Sequence, residues 1–305
     1  MKAALLPDRG VVKVAGLDGR KFLNGLVTTD LAKVAPGRPR FAALLTPQGK
    51  IIADFIIAEA EPQDGGGFFL DIPRALARTL TDRLNFYKLR ANVMVEDLSE
   101  TLGVMAIWEG RGNTEQADSE YGLCYPDPRL PELGTRCMLP PHLANEAAAD
   151  FGSELVDASS YEAHRLALGV PRGGIDFIYG DAFPHESNMD QLHGVDFDKG
   201  CFVGQEVVSR IEHRAIARTR VVPVSFDGPP PEAGAPVMAG DRSIGRMGSG
   251  MGGPMGGRGL ATLRLDRAEE ALASGVSLVA GGIRLEPRKA SWARFAIPGT
   301  SKAAE

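Results

Sequence analysis

The run DKGCFVGQEVVSR, Asp198 to Arg210, sets Cys201 between Gly200 and Gly204, with Lys199 upstream and Gln205 and Glu206 downstream. A thiolate is a nucleophile and a soft metal ligand, and nearby positive charge or backbone N–H groups favour it. Lys199 supplies the charge in this pattern, and glycine on either side lets the backbone take positive φ and turn its amides towards the sulfur. The same residues also describe a small apolar plug in a tight loop beside a solvated lysine, and composition alone favours the plug. Gln205 and Glu206 either line a site past the bend or cap the segment that follows.

A second candidate is Asp54, a carboxylate inside the apolar run IIADFII. In a strand, period two puts Ile52, Asp54 and Ile56 on one face. A carboxylate with apolar neighbours on its own face is more readily explained by a polar ligand group than by solvent. His185, His193 and His213 flank the cysteine, but their spacing matches no zinc pattern, so they are read as loop histidines and no metal site is expected. No G-x-x-x-x-G-K-[ST] phosphate loop, G-x-S-x-G elbow or C-x-x-C pair occurs in the chain, which removes several common enzyme classes.

The three cysteines, Cys124, Cys137 and Cys201, are widely spaced and odd in number. That predicts free thiols in a reducing compartment, and three thiols fall short of the four that hold a conventional iron–sulfur cluster. The net charge of -5 over 305 residues argues against a surface that grips nucleic acid directly. No run of ~18 apolar residues spans a membrane. The start MKAALLPDRG meets proline and aspartate before a signal peptide can form, and a cytoplasmic location is expected.

The elements that must position these residues follow from periodicity. VVKVAG reads as a strand, Asp18 caps a helix with Phe22, Leu23, Leu26 and Val27 on one stripe, and FAALLTPQGKIIADFIIAEA reads as a hairpin turning at Pro47 to Gly49. FFLDIP is a strand, and Leu76, Leu80, Leu84 and Tyr87 mark an amphipathic helix after Pro73. LRANVMVEDLS and TLGVMAIWEG read as strands, and Arg111 to about Pro141 as an irregular excursion. Ser159 and Glu162 have the spacing of a capping box opening the helix SYEAHRLALG, and the stretch from there to Glu206 is mostly loop with at most one short helix. Beyond Arg218, short strands between Pro and Gly turns predict a small β-barrel, with Met247 to Gly259 as a flexible hairpin loop. The fold class is α+β.

The motif DKGCFVGQE resembles the K-G-C-[FY]-x-G-Q-E signature of the YgfZ-type folate-binding proteins, which include mitochondrial iron–sulfur assembly factors. RKFLNGLVTTDL, LTPQGKIIADF, YKLRANVMVEDLS, HRLALGVPRGG and FPHESNMDQL are similar to further segments of that family, together covering most of residues 9–214. The relationship extends to the T-protein of the glycine cleavage system, a tetrahydrofolate-dependent aminomethyltransferase. It implies a T-protein-like fold of three subdomains around a central channel that binds tetrahydrofolate, with residues 1–214 as two interleaved α+β subdomains and residues 218–298 as the C-terminal barrel.

On that resemblance Cys201 becomes the chemically active residue with Lys199 beside it, reversing the order that composition gave. Asp54, Lys50, Glu186, Asn188, Gln205, Glu206 and Arg210 become candidates for holding the folate, with Lys50, Arg90 and Arg210 available to its tail carboxylates. Ala53 stands where the T-protein has a second carboxylate, and Ala167 where its R-L-E-x-G pattern has a pterin-binding glutamate. A missing partner for a buried N–H costs about 1–3 kcal/mol. The implied function is therefore a tetrahydrofolate-binding accessory protein supporting assembly or repair of iron–sulfur clusters in client enzymes or with other assembly factors, with indirect effects on tRNA modification. Folate-dependent aminomethyl or methyl transfer to a small amine is the alternative.

Overall fold

The computed structural model describes residues 1–62, 65–110, 120–214, 217–253 and 256–300. The chain divides into two compact units, one of Met1–Glu162 with Leu192–Gln205 and one of Ala163–Gln191 with Glu206–Glu305. The unit holding the barrel is thus larger than the expected 218–298, and the cysteine loop belongs to the first unit.

The first unit contains β1 (Lys2–Leu6), β2 (Arg9–Ala15), α1 (Gly19–Asn24), β3 (Arg40–Leu45), β4 (Ile51–Glu59), β5 (Phe68–Pro73), α2 (Arg74–Tyr87) and β6 (Met94–Asp97). It continues through β7 (Gly103–Trp108), β8 (Leu123–Pro126), β9 (Thr135–Leu139), α3 (Ala144–Asp150) and β10 (Glu154–Leu155). Two five-stranded sheets result, in the orders β10-β1-β7-β9-β8 and β3-β4-β5-β2-β6. The second sheet buries Val12, Val14, Ala53, Phe55, Ile57, Leu70 and Ile72 against Leu80 and Leu84 of α2 and Leu23 of α1, as alternation on strands and four-residue spacing on a helix require. The first packs Ile107, Cys137 and Leu139 against the alanines of α3.

The remaining faces of the two sheets meet through a buried charge network. Arg136 of β9 donates to Asp71 of β5 at 2.7 Å and to Asp127 at 2.8 Å. Arg129 also donates to Asp127, at 2.6 Å, and the Arg9 Nε lies 2.5 Å from Asp71. Burial alone would raise the Asp71 pKa, but Arg9 and Arg136 overcome it and hold the carboxyl below its usual value.

Several sequence expectations are corrected here. Residues 111–119 of the expected excursion lie outside the described residues, but the rest of it contains the buried strands β8 and β9. Their register sets Cys124 opposite Cys137, and the two sulfurs form a disulfide with Cα atoms 4.0 Å apart. The prediction of three free thiols fails because it considered chain separation and not strand register. Asp18 does precede α1, but its carboxylate accepts from the Asn92 N–H at 2.7 Å and caps no N–H of that helix. The helix α4 (Ala158–Leu168) begins one residue before Ser159, and Asp157 is its cap, accepting from the Ser159 N–H at 2.8 Å.

The second unit holds α5 (Gln205–Arg214) from Glu206 on, of which only Gln205 and Glu206 fall in the stretch expected to be mostly loop, and a closed barrel of β11 (Thr219–Phe226), β14 (Gly256–Arg264), β13 (Arg242–Gly253), β12 (Pro236–Ala239), β15 (Leu278–Ala280) and β16 (Ile283–Pro287). Helix α6 (Leu265–Ala273) follows β14. Apart from residues 254 and 255, which lie outside the described residues, the run expected as a flexible loop forms most of β13 and the start of β14. Its glycines serve close approach: a Cβ on Gly259 would lie 2.7 Å from the Ser249 carbonyl oxygen on the neighbouring strand.

Candidate functional site

The cysteine loop is built by tying down the residues around Cys201. Lys199, only 6% exposed, donates from Nζ to the carbonyl oxygens of Asn24 at 2.7 Å, Val27 at 2.7 Å and Thr29 at 2.8 Å. An ammonium has three protons, and all three close off the end of α1 and the turn after it. The Phe202 ring lies 5.1 Å from the same Nζ. Lys199 is therefore an anchor for the loop, and among the described residues it forms no hydrogen bond to the sulfur. Burial draws its pKa down to about 8.

Upstream, the Asp196 N–H donates to the Thr28 carbonyl at 2.9 Å, and the Thr28 hydroxyl donates to the Gly194 carbonyl at 2.6 Å while accepting from the Ala43 N–H of β3 at 2.9 Å. Downstream, Gly204 has φ +82 and lies against the turn of the β3–β4 hairpin: a Cβ there would meet the Thr46 carbonyl oxygen at 2.6 Å and the Gly49 Cα at 3.1 Å. Only glycine fits both demands. Gly200 has no such role, since its φ is not positive and nothing lies within 4 Å of a built Cβ. Gln205 completes the bend, its side-chain oxygen accepting from the Phe202 N–H at 3.3 Å. Between these anchors Cys201 is exposed and is the free cysteine.

Of the other predicted residues, Asp54 and Lys50 lie in the same unit as the loop. Asp54 is 7% exposed, on the opposite face of β4 from Ala53, Phe55 and Ile57, which enter the core. Burial would lower the Arg9 pKa, and the charges of Asp71 and Asp54 outweigh it, so Asp54 faces towards the charge network. Lys50 is half-buried at the end of the hairpin turn, its N–H 3.2 Å from the Thr46 hydroxyl.

Glu186, Asn188, Glu206 and Arg210 fall in the second unit. The Asn188 carboxamide donates to the Val221 carbonyl at 2.8 Å and accepts from Arg220 at 3.3 Å, an anchor of the loop on β11. The Glu186 carboxylate accepts from the Phe183 N–H at 2.8 Å. Glu206 and Arg210 pair with each other at 2.6 Å on the exposed side of α5. His185 meets Glu212 at 2.9 Å and, with Asp190, forms a group whose ligand atoms lie within 4.8 Å of one another. Asp190 is already gripped by both arms of Arg220 at 2.8 and 2.9 Å, which supplies the positive charge that a metal would bring.

Comparison with known proteins places these features in a lineage. Residues 8–110 match the family model of the GCVT N-terminal domain, and residues 218–295 match that of the CAF17 C-terminal beta-barrel domain. The solved structure of the glycine cleavage system aminomethyltransferase T from Bartonella henselae aligns with a TM-score of 0.73 at 18% identity, covering 96% of this chain and 86% of that one. The protein therefore has the T-protein fold, with mixed helix and sheet content and a closed C-terminal barrel.

Sequence relatives narrow the class. The mitochondrial iron–sulfur cluster assembly factor IBA57 of Homo sapiens is 31% identical over 81% of this chain and 74% of its own length. The IBA57 homologue of Mycosarcoma maydis is 37% identical over 76% of this chain and 59% of its own length, and that of Neurospora crassa 32% identical over 74% and 54%. The chain thus spans less than two thirds of these two fungal relatives. It belongs to the IBA57 family. All three relatives are named as mitochondrial, which overturns the cytoplasmic location expected from the N-terminal residues.

Proposed function

We propose that the protein supports assembly or repair of iron–sulfur clusters, with Cys201 as its chemically active residue and a reduced folate as its ligand. The observation that carries this reading is one exposed thiol held between fixed points: Lys199 capping three carbonyls on one side and Gly204 seated on the hairpin turn on the other. A thiolate is a soft ligand suited to iron, and a fixed loop presents it without ordering cost on binding. Cys124 and Cys137 are joined to each other, so this chain offers one thiol to a cluster and a partner or client supplies the other ligands. The names of the relatives support the cluster role.

Tetrahydrofolate fits in part. The buried carboxylate of Asp54 suits a ring N–H donor, and Lys50 and Gln205 of the same unit would add a cation and an amide. Ala53 and Ala167 remove two acceptors that the T-protein pattern has, which favours binding over aminomethyl transfer. When bound, the folate supplies a one-carbon carrier; the chain's own residues hold it. Effects on tRNA modification would follow from cluster-dependent modifying enzymes, consistent with the acidic net charge of -5.

Two experiments separate the parts of this reading. In cells lacking the gene, the wild-type chain restores aconitase-type activity and Cys201→Ser does not; full rescue by the serine variant rules out the thiol. Calorimetric titration with tetrahydrofolate gives saturable heat that Asp54→Ala abolishes or weakens at least tenfold, and no heat with the wild-type chain rules out the folate. Robust formaldehyde release from an N-methyl or glycine-derived substrate would instead establish the transferase.

A further inference from the structure

The barrel carries a cavity of about 460 Å³ lined by strands β11, β14 and β16. Strand register explains its chemistry. Ser225 of β11 stands directly opposite Arg258 of β14 on one side and Glu286 of β16 on the other, and period two puts Arg284 and Arg288 on the same face as Glu286. Three guanidinium groups thus converge on one wall.

They are not equally engaged. Arg288 donates to the Ser225 hydroxyl at 2.8 Å and to Glu286 at 3.0 Å. The side chains of Arg258 and Arg284 are exposed and, among the described residues, make no hydrogen bond or ion pair. Asp227 is exposed at the rim, so three cations face two carboxylates, one of which is already paired. Phe226 stands opposite Gly257 and belongs to the barrel core, its ring 2.1 Å from where a Gly257 Cβ would lie, so this pair fills the inner face and the arginines stand on the outer one. The volume falls within the usual few hundred Å³ of small-ligand pockets. Guanidinium forks are shaped for carboxylate and phosphate oxygens.

We propose that this cavity binds a small oxyanion carrying at least two phosphate or carboxylate groups, gripped by Arg258 and Arg284. The site lies wholly within the second unit and is independent of Cys201 and of the folate reading. Glu286 acts as a competitor that holds Arg288 away from the ligand. The sign of its effect is therefore opposite to that of the arginines.

The test is calorimetry on the full chain at low ionic strength with pyrophosphate and with citrate, using acetate as a monovalent control. Saturable one-site binding to either multivalent probe is expected, with pyrophosphate alone indicating a phosphate ester and citrate alone an oligocarboxylate. Arg258→Ala and Arg284→Ala each weaken it at least tenfold, while Glu286→Gln tightens it. All three positions are exposed, and an unchanged barrel unfolding transition verifies that the variants fold. Absence of saturable heat with both probes, or equal affinity in the double arginine variant, would overturn the proposal.

Discussion

Replacing Gly204 by alanine tests whether the cysteine loop is fixed to the hairpin turn or merely near it. The residue sits at φ +82, where an L side chain costs about 1–2 kcal/mol. Its Cβ would also lie 2.6 Å from the Thr46 carbonyl oxygen and 3.1 Å from both the Gly49 Cα and the Leu45 Cβ. Two of these neighbours are backbone, so the loop or the turn must move, and forced overpacking of this kind adds about 1–3 kcal/mol. The sum, about 2–5 kcal/mol, is a large part of a domain's stability. Gly200→Ala is the matched control: its φ is not positive and no atom lies within 4 Å of the built Cβ, so a change within about 0.5 kcal/mol is expected. Urea unfolding followed by Trp108, which is buried in the first unit, reads both variants in a Trp292→Phe background. Equal costs at the two glycines would refute the built-turn argument.

Lys199→Met strips the donor from three carbonyls and is expected to cost about 3 kcal/mol or more, measured by the same unfolding signal. Its pH dependence has a definite sign: folded Lys199 titrates near 8 and an unfolded lysine near about 10.4. Below 8 both states hold the proton and the burial cost stands in full; between the two values only the folded chain has released it. Wild-type stability relative to Lys199→Met therefore rises with pH across that window. Arg136→Met leaves Asp71 and Asp127 buried with one cation fewer each and is expected to destabilise the first unit by about 3–5 kcal/mol, visible as a fall in its denaturation midpoint. Because the Asp71 pKa is lowered in the folded state, its contribution is present above the unfolded value of about 3.9 and lost as pH falls through the folded value, a loss that Asp71→Asn should flatten. Gly245→Ala drives a Cβ into the Thr262 carbonyl and should lower barrel stability by about 1–3 kcal/mol, read through Trp292 in a Trp108→Phe background.

What the sequence made legible was local and periodic. The alternation in FAALLTPQGKIIADFIIAEA placed the β3–β4 hairpin and put Asp54 on the face away from Phe55, and the density of KGCFVGQE singled out the cysteine loop. Contacts distant in the chain were hidden. Lys199 looked like an activator of Cys201 because the carbonyls it caps, at Asn24, Val27 and Thr29, lie at the other end of the unit's sequence. The Cys124–Cys137 bond depends on a register between β8 and β9 that no composition argument supplies. The glycines of β13 and β14 read as breakers, since glycine is a poor strand former, yet here they admit neighbouring backbone. Helix α5 had a usable signal in Val208 and Ile211 and the Glu206–Arg210 spacing, which the glycines ahead of it obscured.

The division of the chain bears on how the protein is made. After Glu162 the polypeptide leaves the first unit, returns after Gln191, and leaves again after Gln205. A ribosome that has released Met1–Glu162 has therefore delivered the two sheets but not Lys199, and the carbonyls beyond α1 wait for their cap until the cysteine loop emerges. Completion of the first unit and presentation of Cys201 become the same event in synthesis, so a truncated chain that ends before the loop lacks both the thiol and the cap of α1.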